Sequence, residues 1–71
     1  MTEDEALSYA THRHYKGGLY RFIGPATHSE TQETLAIYRH VWPHVPALHA
    51  RPLALFEGTL PDGRRRFQPL G

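Results

Sequence analysis

The sequence contains no cysteine, which excludes a disulfide framework, a thiolate zinc site and a cysteine nucleophile together. No stretch of its 71 residues is apolar for long enough to cross a membrane, so no membrane partner is expected. Excess charge of one sign is missing too. Eight Lys and Arg against seven Asp and Glu give +1 with histidines neutral, too little by itself to point to nucleic acid. The chain also lacks a Gly-x-Ser-x-Gly elbow, a phosphate-cradling glycine loop, and a carboxylate pair in its body to divide acid and base roles. Ser29 stands beside His28, but neighbours on an extended chain point apart, which is poor geometry for a nucleophile and its base. The first ten residues carry Glu3, Asp4 and Glu5 with no basic stretch or apolar core, so they do not read as a secretory leader. The cytoplasm is the expected compartment, and catalysis is the least favoured class.

What remains is a chain with room for one core. At this length about 60% of the unfolded surface is buried on folding, so aromatic and aliphatic packing, or oligomerisation, must hold the domain. The sequence leaves the oligomeric state open. Six histidines are the compositional oddity, since their charge rises as pH falls through about 6.5.

Residues 1–12 read as an acidic arm or short helix, in which Thr2 can cap and Glu5 stands three residues on, with Leu7, Tyr9 and Ala10 available to pack on the rest. Residues 13–71 read as a small β domain, because short extended segments alternate with glycine and proline punctuation. Arg13 to Lys16 leads into a Gly17-Gly18 turn suited to positive φ. Leu19 to His28 follows as a strand broken or bulged at Gly24-Pro25, and His28 to Thr34 is a connection. Leu35 to His40 is the next strand, with Leu35 and Ile37 on one face and Ala36, Tyr38 and His40 on the other. Trp42 to Pro46 is a loop, His49 to Leu53 a short strand, Leu53 to Phe56 one helical turn, Leu60 to Gly63 a turn, and Arg64 to Leu70 a last strand with Phe67 inward. The fold class is therefore all-β. About five short strands suit a small SH3-like barrel, and an open sheet crossed by the N-terminal helix is the alternative. Tyr20, Phe22, Ile37, Leu53, Phe56 and Phe67 are the expected core.

His14-Tyr15-Lys16-Gly17-Gly18-Leu19-Tyr20-Arg21, Ala26 to Thr31 with its His28-Ser29-Glu30, Ile37-Tyr38, Arg51-Pro52-Leu53 with Phe56, and Arg66-Phe67 fall in an order and spacing that resemble a bacterial family known as domain of unknown function 1653. The resemblance covers residues 13 to 67 and implies a small β-rich fold, with no activity to carry over. The chain departs from the family pattern between Val41 and Leu48: Trp42 comes early, and His49-Ala50 stands where the family more often has a Trp before Arg-Pro.

His14 and Lys16 lie two apart on an extended segment and share a face, as do His28 and Glu30 at the far end of the long strand. Barrel closure would bring the two pairs together near Arg51 and Tyr38. The expected ligand-binding surface is thus His14, Lys16, His28, Glu30, Tyr38 and Arg51, recognising a peptide or small acidic ligand with Arg51 as a bidentate donor. The same residues also suit internal pairs that merely fix loops to strands. Arg64, Arg65 and Arg66 offer phosphate contacts for RNA or single-stranded nucleic acid, with Tyr15, Tyr20 or Trp42 as stacking faces, or else blunt an edge strand. His14, His28 and Glu30 are a chemically permissible zinc set for a metal-dependent or acid/base enzyme, but their spacing matches no recognised pattern. No catalytic residue, metal or cofactor is expected.

Overall fold

The structure, a computed structural model, describes all 71 residues. Helix α1 (Glu3–Tyr9) is followed by strands β1 (His12–His14), β2 (Leu19–Thr27), β3 (Thr34–Trp42) and β4 (Ala47–Pro52), the single turn of helix α2 (Leu53–Phe56), and strand β5 (Phe67–Pro69). The five strands form one antiparallel sheet in the order β4-β3-β2-β1-β5.

The acidic start does form a helix. Thr2 Oγ1 accepts from the Glu5 amide at 3.2 Å while the Thr2 amide donates to Glu5 Oε1 at 3.0 Å, a reciprocal capping box. Two backbone amides, Ala6 to Thr2 and Ala10 to Ala6, carry the first and last turns. In a Thr2→Ala chain these two amides are expected to exchange with solvent about threefold faster or more, because the Glu5 amide loses its Oγ1 acceptor. Rates unchanged in hydrogen-exchange NMR would show that tertiary contacts, rather than the cap, hold α1.

The β1–β2 turn is built on glycine for two different reasons. Gly17 has φ +102°, which L side chains rarely adopt, and a Cβ on Gly18 would stand 3.2 Å from the Tyr20 ring. In β2 the pairing with β3 shifts register between Phe22 and Gly24, so Ile23 is the extra residue of a bulge and the strand runs on to Thr27.

The expected SH3-like barrel is corrected by the sheet: β4 pairs only with β3 and β5 only with β1, so two edges stay unjoined. The reason is length. β5 has only three residues, ending at Pro69, which has no amide to donate, so its outer edge offers little for β4 to pair with. Side chains bridge the gap instead. The Arg51 guanidinium from β4 lies 5.6 Å from the centre of the Phe67 ring on β5, whereas four strand spacings in a flat sheet measure about 19 Å. The sheet must therefore be strongly coiled.

Coiling gives the sheet an inner face that carries the main core. Ala36, Tyr38, Phe56 and Phe67 are buried there, with Tyr20, Phe22 and Leu53 packed half-buried against them. On the outer face α1 lays Ala6 over Leu19 and Val41, flanked by Ala10 and Trp42. Leu7 does not take the packing role that the sequence suggests and is exposed, while the part-exposed Tyr9 ring packs only against the Arg21 guanidinium of β2, at 4.6 Å. Ala6 and Ala10 are four apart on one helix face, and they make the contact. Ile37 is likewise not part of either core: alternation along β3 turns Ala36, Tyr38 and His40 inward and leaves Ile37 half-buried on the outer face. Trp42 ends β3 rather than opening the loop.

Candidate anion-binding site

The same alternation that fills the inner face lines it with imidazoles, phenols and guanidinium groups. β1 contributes His12 and His14, and the register of β5 sets Phe67 opposite His14. β2 contributes Tyr20, β3 contributes Tyr38 and His40, and β4 contributes His49 and Arg51, opposite Tyr38 and Ala36 respectively. The rings meet edge to face or stacked: His14 on Phe67 at 4.9 Å, Tyr20 on His40 at 4.6 Å, Tyr38 on His49 at 5.5 Å.

Hydrogen bonds assign the tautomers. The Lys16 amide donates to His14 Nδ1 at 3.2 Å, so a neutral His14 keeps its proton on Nε2 as a free donor. His40 Nε2 lies 3.0 Å from the Trp42 carbonyl, which only accepts, so that nitrogen carries the proton. Burial holds His14 below the ordinary histidine pKa, and the positive charges of Arg51, Lys16 and Arg66 press the same way. Burial and then Arg65 lower His12. The Tyr20 hydroxyl is raised, by burial first and Tyr38 second, with Arg51 opposing.

No carboxylate balances these cations. The ion pairs of the chain are Arg13–Glu3 at 3.2 Å and Arg64–Asp62 at 2.7 Å, both at its surface. From Thr34 to Phe56, through β3, β4 and α2, there is no acidic residue. Arg51 makes neither a salt bridge nor a side-chain hydrogen bond and rests on the Phe67 ring. On the other side of His14, an open groove of about 530 Å³ runs past Arg13, His14, Lys16, Tyr20, His40 and His44, with Glu3, the partner of Arg13, as its one carboxylate.

Of the residues singled out in the sequence, His14, Tyr38 and Arg51 share the inner face, with Lys16 in the turn next to His14. His28 and Glu30 do not join them. They occupy the β2–β3 turn, at the opposite end of β2 from His14 and Lys16; nine residues separate those ends, roughly 26 Å at the rise of an extended chain. His28 Nδ1 instead accepts from the Glu30 and Thr31 amides at 3.2 and 3.3 Å, which fixes the turn. Glu30 is exposed and pairs with neither Arg51 nor a histidine. The permissible zinc set of His14, His28 and Glu30 is dispersed for the same reason, and no three His, Asp or Glu side chains converge elsewhere. Arg64 is engaged by Asp62, so the basic triplet presents Arg65 and Arg66 only. Sequence reasoning set His40 on the face of Tyr38 and Tyr20 in the core without drawing either into the site, and it missed His49, which a period-two step back from Arg51 would have found.

A family model described as "Protein of unknown function (DUF1653)" matches residues 10–69, which takes in all five strands and α2 and leaves out α1. No curated protein and no solved structure gives a significant match.

Proposed function

The chain belongs to this family of unknown function, and from that premise we propose that it is a binding module whose inner face takes an anionic group, a carboxylate of a peptide or of a small organic acid. One observation carries the reading: the Arg51 guanidinium and the His14 ring meet on Phe67 at 5.6 and 4.9 Å, Lys16 is tied to His14 through its amide, and neither Arg51 nor Lys16 has a carboxylate partner. A group of cations held together without a counter-ion is costly unless an anion arrives. Arg51 supplies the planar two-point contact, pre-positioned by Phe67. Lys16 adds charge, and His14 Nε2–H and the Tyr38 hydroxyl add neutral donors. His28 and Glu30 have no part in it.

The test is an NMR titration of the chain with N-acetylglutamate. Shifts centred on His14, Arg51, Arg66 and Phe67 are expected. Arg51→Ala should weaken the binding about tenfold or more, as the loss of a charge-assisted contact does. Its melting temperature should change little, since the cation–π contact it gives up contributes only about 0.5–1 kcal/mol. A large loss of stability would make Arg51 a structural residue, and unchanged binding would dismiss the cluster. Single-stranded RNA is the second reading, favoured by Lys16 Nζ 5.7 Å over the exposed Tyr15 ring. An oligouridylate that binds more tightly than N-acetylglutamate, with affinity falling steeply in salt, would prefer it.

A further inference from the structure

The two free edges of the sheet are unequal. β5 is three residues long and contains Pro69, so it is blunted by shortness and by a missing donor. β4 is six residues long, bracketed by Pro46 and Pro52, and its first four residues are exposed. Its only backbone partner is β3: none of the backbone hydrogen bonds outside the regular elements involves residues 47–52. The outward amides and carbonyls of β4 therefore meet no protein group. From Ala47 to Ala50 the edge carries no proline, no lysine and no bulge. Val45 and Leu48, beside and within the strand, are among the most exposed apolar residues of the chain.

We propose that the β4 edge accepts an extended acidic segment of a partner protein as a sixth antiparallel strand. This rests on the anion-binding reading and extends it, with backbone pairing along Ala47–Pro52 supplying affinity and the cations supplying selectivity. Charge identifies the occupant. On the inner face β4 presents His49 and Arg51, Arg39 lies opposite Leu48 on the outer face, and His44 stands just before the strand. No carboxylate occurs anywhere in β3 or β4. Acidic side chains at alternate positions of an added strand would fall beside His49 and Arg51, and apolar ones beside Leu48 and Ala50.

A second copy fits the edge poorly. Antiparallel self-pairing centred on His49 sets imidazole against imidazole and adds a second Arg51 to the same face, each opposite Ala47, with no carboxylate on either strand to offset them. Centring on Leu48 sets Ala50 opposite Pro46, which has no amide to donate. The prolines also limit the pairing to about six residues, long enough for a short linear motif.

The probe is the blocked peptide acetyl-Glu-Val-Glu-Val-Glu-amide, with two isomers, one N-methylated at residues 1, 3 and 5 and the other at residues 2 and 4. An added strand turns alternate amides toward β4 and the rest toward water. One isomer should bind within about twofold of the parent and the other at least about tenfold more weakly, given two or three lost hydrogen bonds. The amides of residues 47–52 should show the shifts and the slowed exchange. Equal binding by both isomers, or equal weakening of both, overturns the edge pairing. If N-acetylglutamate still binds in that case, the anion site survives without it. If the isomers differ but N-acetylglutamate does not bind, the edge stands and the anion site falls. Equal binding of a peptide with Lys in place of Glu, or sedimentation of the free chain as a dimer that Leu48→Lys dissolves, overturns the acidic occupant.

Discussion

Phe67→Ala is expected to leave the chain largely unfolded in water at room temperature. The ring is 2% exposed and is the meeting point of the inner face. Phe56 stacks on it at 4.4 Å, with His14 at 4.9 Å, Tyr20 at 5.3 Å, Tyr38 at 5.4 Å and the Arg51 guanidinium at 5.6 Å. Deleting a fully buried phenyl ring costs about 3–5 kcal/mol. A domain this small has only about 5 kcal/mol of stability in total, or less. Eight residues of 71 are buried, so there is little other core to absorb the loss. Phe22→Ala is the graded comparison: that ring is half-buried and touches Phe56 and His12, so its loss should be smaller than that of Phe67. Urea denaturation followed by tyrosine and tryptophan fluorescence measures both. A Phe67→Ala chain that melts cooperatively near the wild-type midpoint would show that the inner face is not what holds the fold.

Acid is the second strong lever, and its sign follows from three histidines. His12, His14 and His40 are each lowered from an ordinary value of 6.5, chiefly by burial. Below pH 6.5 the unfolded chain takes up protons at these rings while the folded chain still resists. Stability is therefore fully present above about pH 6.5 and drains away as pH falls toward the lowered folded values. The slope is limited to about 1.4 kcal/mol per pH unit for each histidine. The carboxylates act in a separate, lower window: Glu5 and Asp62 are lowered from 4.5 and 3.8 by hydrogen bonds from Thr2 and Arg64, so what they contribute is lost only below about pH 4.5. Melting temperature measured from pH 7.5 to 5 should fall steadily, and less steeply in a His14→Gln chain. A flat profile over that range would show that the folded chain protonates these rings as readily as the unfolded one does.

Local chemistry made much of this architecture legible. The Thr2-x-x-Glu5 box, the Gly17 turn, the turn at Leu53–Phe56 and the inward Phe67 each depend on a few neighbouring residues, and each stands where the sequence puts it, while the bulge expected at Gly24-Pro25 falls just before it, at Ile23. Closure of the barrel was not legible, because it depends on how long an edge β5 presents to β4, and β5 stops at three residues, one of them Pro69. The site inherits that error. His14, Lys16, Tyr38 and Arg51 were recognisable from strand alternation and charge. His28 and Glu30 were drawn in only by a closure that does not occur, and the length of β2 keeps them at the other end of the sheet. Ile37 shows the complementary limit: its hydrophobicity argues for burial, but its parity on β3 places it on the face that a seven-residue helix only partly covers.

The pairing of His12 with Pro69 also governs the order in which the molecule assembles. The junctions β1–β2, β2–β3 and β3–β4 are hairpins, each closing a short loop. The junction of β5 with β1 must bring together residues more than fifty apart, and the entropy of so large a loop has to be overcome before any contact compensates it. That step is expected to come last. Until it happens the chain is a four-strand meander whose inner rings lack Phe67, with its apolar face open and two edges unpaired. Native stability and exposure to aggregation during folding thus rest on the same three residues of β5.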